Sequence, residues 1–174
     1  MKKLPLLFTL LIAIMTSCSS DDSTSEITAD IVGTWEMTDY DYTGTTKTTF
    51  EGQTYSADYV GEAFNIDYRM TFNENPNTIE TEGSFSLELT TTAFGETSTQ
   101  VVNTDDVETI NAGTWEIQNG NLVTQADGGI EATYKIEELT ETSLVLSLNQ
   151  EVDISQSGVT AKTTINAKMF FQRQ

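Results

Sequence analysis

Val159-Thr160-Ala161-Lys162-Thr163-Thr164-Ile165-Asn166-Ala167-Lys168-Met169-Phe170-Phe171 puts Val159, Ala161, Thr163, Ile165, Ala167, Met169 and Phe171 on one face of an extended chain, and Thr160, Lys162, Thr164, Asn166 and Lys168 on the other. A period of two is the signature of a half-buried strand, because successive side chains point to opposite sides of the pleat. The preceding segment groups Leu144, Leu146, Leu148, Val152 and Ile154 in the same way, with Ser155-Gln156-Ser157-Gly158 between the two. The pair therefore predicts an antiparallel hairpin at the end of the chain.

The pattern recurs upstream. Phe64, Ile66, Tyr68, Met70 and Phe72 alternate with Asn65, Asp67, Arg69 and Thr71, and the run ends at Asn73-Glu74-Asn75-Pro76-Asn77. Phe85, Leu87 and Leu89 continue it, as do Ile130, Ala132, Tyr134 and Ile136 after Asp127-Gly128-Gly129. Asn119-Gly120 separates Trp115 and Ile117 from Leu122 and Val123, and both residues of such a turn tolerate positive φ. No segment carries a helical period, so the domain reads as all-β, with about eight to eleven strands joined by short turns. An antiparallel up-and-down barrel is favoured over a β-sandwich, since closure removes edges that would otherwise recruit other chains.

The start of the chain has a different logic. Lys2 and Lys3 precede an apolar run over residues 4–15, then Thr16, Ser17 and Cys18, which is the layout of a cleaved signal peptide. The run falls short of the ~20 apolar residues that a spanning helix needs. Met15-Thr16-Ser17-Cys18 resembles a bacterial lipobox, which implies that Cys18, the single cysteine, is acylated and becomes the first residue of the mature protein. A thiolate is a good nucleophile for such a transfer, and several acyl chains together give stable anchorage. The polar stretch behind it cannot bury enough surface to order itself and reads as a flexible tether. The expected organisation is thus a signal peptide over 1–17, a lipidated tether over 18–29 and a barrel over 30–174. Ser20-Asp21-Asp22 is similar to export signals that bring lipoproteins of Gram-negative bacteria to the outer face of the outer membrane.

Composition narrows the function. The chain carries a formal charge of −19, and losing Lys2 and Lys3 with the signal peptide takes it to −21. Such an excess repels nucleic acid, so no nucleic-acid partner is expected. With no histidine and one cysteine, imidazole bases, catalytic triads and the usual zinc sites are unavailable, and neither enzymatic activity nor a cofactor or metal is expected. Asp39-Tyr40-Asp41-Tyr42-Thr43-Gly44 has the opening of a calcium loop, but Phe50 stands where the bidentate glutamate belongs and Lys47 at the ninth position, so it reads as a hairpin loop.

Gly33-Thr34-Trp35 opens the first long strand, and this G-x-W at the head of a β-rich domain resembles the lipocalins. The resemblance implies a glycine that lets the chain cross the barrel floor, a tryptophan that plugs it, and a basic residue of the last strand over that tryptophan. Arg173 is the candidate, and such a cation–π contact contributes about 0.5–2 kcal/mol. Gly113-Thr114-Trp115-Glu116, Asn121-Leu122-Val123 and the segment from Tyr134 through Leu146 are similar to the short lipocalin-like lipoproteins of Gram-negative bacteria, with likeness from about residue 30 onward. The recurrence of Gly-Thr-Trp-Glu reads as shared strand-start chemistry, since the residues after the two copies are dissimilar.

Two functions remain open. In the first, inward Phe64, Tyr68, Trp115 and Tyr134 line a cavity for a small apolar or amphipathic ligand, with room left by Ala132, Ala161, Thr163 and Ala167. In the second, the same residues fill a tapering core, and the outer surface meets another envelope component or a host protein.

Overall fold

The computed structural model describes residues 26–103, 109–126, 129, 131–156 and 159–174. The expected signal peptide, Cys18 and most of the expected tether lie outside these described residues. Among the described residues ten strands run in order: β1 (Glu26–Ile27), β2 (Gly33–Phe50), β3 (Gln53–Asn73), β4 (Thr78–Ala93), β5 (Glu96–Asn103), β6 (Gly113–Gln118), β7 (Asn121–Ala126), β8 (Glu131–Leu139), β9 (Ser143–Asp153) and β10 (Val159–Arg173).

Antiparallel pairing links β8-β7-β6-β4-β3-β2-β10-β9, and β9 pairs back onto β8, so the sheet closes in a ring. The barrel expected from the alternation is the observed architecture, and the sandwich is excluded. β5 pairs onto β4 outside the ring, and β1 lies parallel beside the end of β8 through Glu26↔Glu138 and Ile27↔Leu139. The Thr28 amide continues this pairing, donating to the Leu139 carbonyl at 2.8 Å.

The wall is uneven. β2, β3, β4 and β10 have 18, 21, 16 and 15 residues, whereas β6, β7 and β8 have 6, 6 and 9. One end of the ring is complete, and beyond it β5-β4-β3-β2-β10-β9 continues as an open tall wall. The core fills the complete part: Trp35, Tyr40, Met70, Phe72, Leu87, Leu122, Ile136, Leu144, Leu146 and Met169 are fully buried.

The final hairpin forms as expected, with Thr163↔Val152, Ala167↔Leu148 and Phe171↔Leu144 in register. Its inward face is buried from Leu144 to Leu148 and from Ile165 to Phe171, whereas Gln150 and, past the strand, Ile154 are exposed beyond the complete part of the ring. Asn119 and Gly120 both adopt positive φ, 52° and 78°, at the β6–β7 turn.

Two expectations are corrected by bulges. Residues 39–44 are not a hairpin loop but the middle of β2, where the register shifts between Glu36 and Asp41 and both Met37 and Tyr40 turn inward. In β3 the register shifts between Phe64 and Asp67, with Asn65 at φ 51°. An extra residue there reverses which parity faces the core. Gly61 and Ala63 point inward before the bulge and Ile66, Tyr68, Met70 and Phe72 after it, so Phe64 lies on the outer face, 38% exposed.

Candidate functional site

At the complete end, the chain approaching β2 wraps beneath Trp35. The indole Nε1 donates to the Ile31 carbonyl at 2.8 Å, and the Arg173 guanidinium lies 4.1 Å from the ring centroid. Arg173 also donates to three backbone carbonyls: Val32 through Nη1 at 2.7 Å, Glu141 through Nε at 2.9 Å, and Asp30 through Nη2. Gly33 has φ +132°, and a Cβ there would stand 2.7 Å from Arg173 Nη1, so a side chain would displace the guanidinium. The fan of donors and the lost Cβ depend on each other.

The four residues expected to line a cavity are not gathered in one place. Phe64 faces outward from β3. Trp115 is half-buried, edge-on to Phe72 at 5.7 Å between ring centroids, with its Nε1 donating to the Asn73 carbonyl at 3.1 Å. It packs the wall beside the β3–β4 turn. Tyr68 is buried edge-on to Phe85, and its hydroxyl donates to the Ile110 carbonyl. Burial pushes its pKa up to about 12, an effect only partly opposed by the neighbouring Thr109 hydroxyl. Tyr134 is the one of the four that borders open space.

That space is a cavity of about 540 Å³ at the rim of the short wall, where β7, β8 and β9 meet the segment 109–111. Thr124, Ala132, Tyr134 and Leu148 form its inner lining, and Asn111, Glu131 and Gln150 stand around it. Thr109 lines it too, and its Oγ1 is buried without a hydrogen bond of good geometry, although it lies near enough to Tyr68 to favour the phenolate. With so little accessible surface, that oxygen points into the protein, toward Tyr68, and not into the cavity. Thr109, Asn111 and Thr124 were missed in the sequence because they are short polar residues in no motif; a threonine at an inward position of β7 was the only available signal.

The other hollows lie on the outer face of the tall wall, for example among Thr45, Lys47, Lys162 and Thr164, where side chains are solvated. Among the described residues no group of three histidine, cysteine or acidic side chains is placed to hold a metal ion, and no helix is long and apolar enough to cross a membrane.

No curated protein and no solved structure matches the chain. A family model described as a lipocalin-like domain matches residues 31–146, from the residue that accepts the Trp35 hydrogen bond into β9. With that span covering most of a ring that closes as expected, the chain belongs to the lipocalin-like domain family.

Proposed function

We propose that this protein is an envelope lipoprotein of a Gram-negative bacterium, anchored in the outer membrane through acylated Cys18, whose barrel takes a small amphipathic ligand at its mouth. Gly33, Trp35 and Arg173 close the opposite end, so the mouth is the way in. The observation that carries the reading is the 540 Å³ cavity at the mouth, whose lining sets Tyr134, Ala132 and Leu148 beside the polar Thr124 and Asn111. Volumes of about 300–1,000 Å³ with a few placed polar groups are usual for small-molecule sites. A ligand with a polar group toward Asn111 and Thr124 and an apolar part against Tyr134, Ala132 and Leu148 fits this lining better than a wholly apolar one.

The test is native mass spectrometry of the full chain extracted from its own envelope. A bound small molecule is expected. Ala132→Phe, which fills the cavity, should abolish it, and Asn111→Ala should weaken it by about tenfold, the equivalent of roughly 1.4 kcal/mol for one hydrogen bond. A bare protein mass, or a bound mass indifferent to both substitutions, overturns the reading. Separately, Cys18→Ser should release the protein from membranes, and persistent membrane attachment of that variant overturns the anchoring.

A further inference from the structure

We propose that the inner face of the tall wall, beyond the mouth, is a docking site for a protein partner that presents an apolar segment flanked by lysine or arginine. The strand register places an apolar strip across five neighbouring strands at the far end. Phe50 stands between Val159 and Gln53, Thr48 between Ala161 and Tyr55, and Ala57 opposite Ala93, so two polar side chains are set among the apolar ones. The Phe94 ring packs on Tyr55 at 5.4 Å between centroids, and the Ile154 amide donates to the Ala161 carbonyl, which extends the strip to β9. Phe94 is 79% exposed, Ile154 52% and Phe50 49%, so large side chains on three adjacent hairpin tips meet solvent together. Scattered exposed apolar residues need no explanation, whereas large ones gathered on one face, as here around Thr48 and Gln53, mark an interaction surface.

Charge selects the occupant. Among the described residues no lysine or arginine points to this face, because Lys47 and Lys162 sit opposite each other on the outer side. Glu51 stands in the β2–β3 turn, and Glu96, opposite Ala93, shares the inner face. An apolar strip bordered by carboxylates, on a chain of formal charge −19, attracts a cationic amphipathic partner and repels both anionic lipid and a second copy of itself. Position agrees with this. The chain reaches β1 at the Trp35 end, where Ile27 pairs with Leu139, and β2 carries Phe50 roughly 50 Å away from Trp35 at about 3.3 Å per residue. The strip is presented at the opposite end from β1 and hence away from anything tethered through the residues before it.

The test uses the full chain in nanodiscs of zwitterionic lipid, with a peptide of about 12 residues alternating Val and Lys as probe, one face apolar and the other basic when extended. Binding is read by biolayer interferometry against empty discs. Phe50→Ser with Phe94→Ser should weaken binding at least about tenfold, since a few apolar anchors carry most of the affinity of such surfaces. Glu51→Gln with Glu96→Gln should weaken it most at low salt, while Glu62→Gln with Glu88→Gln, on the outer face, should leave it unchanged. A thermal midpoint no lower than the parent's in each variant shows that the fold is intact. The proposal is overturned if the outer pair weakens binding as much as the inner pair, or if a Val/Glu peptide binds equally well. It is equally overturned if the phenylalanine pair abolishes self-association in sedimentation, or retention on added anionic vesicles, rather than peptide binding.

Discussion

Arg173 satisfies three backbone carbonyls that approach it from two separate segments, residues 30–32 and Glu141, while its flat face covers Trp35. Arg173→Met keeps an unbranched stem over the indole but removes every donor, so a loss of about 2 kcal/mol is expected in urea unfolding, within the usual worth of charge-assisted hydrogen bonds. Gly33→Ala should cost a similar amount, about 2 kcal/mol, because it meets both positive φ and the guanidinium. Tyr68 makes stability depend on pH. Its pKa is about 12 in the fold against an ordinary 10, so between those values the unfolded chain has released a proton that the folded chain still holds. The stability is fully present below pH 10 and is lost as pH rises toward 12, by about 3 kcal/mol for this one group. Tyr68→Phe should lose about 1 kcal/mol at pH 7 with the hydrogen bond to Ile110, and its stability should fall less steeply above pH 10 than that of the parent. Parallel curves for the two proteins above pH 10 would contradict this assignment.

β3 shows at the level of an element what alternation can and cannot convey. Its second half was legible, since Tyr68, Met70 and Phe72 all lie inside, and so was the final hairpin from Ala161 to Phe171. Phe64 was misplaced because a bulge preserves the alternation on either side while exchanging the faces, and nothing in Phe64-Asn65-Ile66-Asp67 marks the exchange. The signal is on the partner strand. Gly83 adopts φ +85°, and a Cβ there would stand 1.6 Å from the Asp67 carbonyl oxygen, so β4 needs a glycine where β3 folds over it. Gly83→Ala should therefore destabilise by more than about 2 kcal/mol, whereas Phe64→Ser, on the outer face, should change stability by less than about 0.5 kcal/mol. Equal losses in the two variants, measured by urea midpoints, would place Phe64 inside after all. A bulge misleads in β2 as well, where Met37 and Tyr40 both point inward across it and the broken pattern reads as a loop.

Ring closure is a property of the whole molecule, and it is why the cavity had no sequence signature: residues 109–111 meet β7, β8 and β9 only because β9 returns to β8. Charge, in contrast, is legible from composition, and the fold concentrates it. Closure lines up Asp41, Glu62 and Glu88 directly across β2, β3 and β4 on the outer face, with Lys168 beside Asp41 at one end of the row. Like charges placed directly opposite in a sheet are unfavourable by a few tenths of a kcal/mol or more per pair, and a chain of net charge −19 adds a long-range repulsion that compaction increases. Salt screens such exposed charges, the Debye length falling from ~30 Å at 0.01 M to ~3 Å at 1 M. The urea midpoint should accordingly rise with sodium chloride over that range. Glu62→Gln with Glu88→Gln should raise the low-salt midpoint and flatten the salt dependence, because it removes two of the row's three carboxylates while leaving the core untouched. A parent protein whose midpoint is indifferent to salt would mean that the unfolded chain carries the same repulsion, and that the carboxylate row costs the fold nothing.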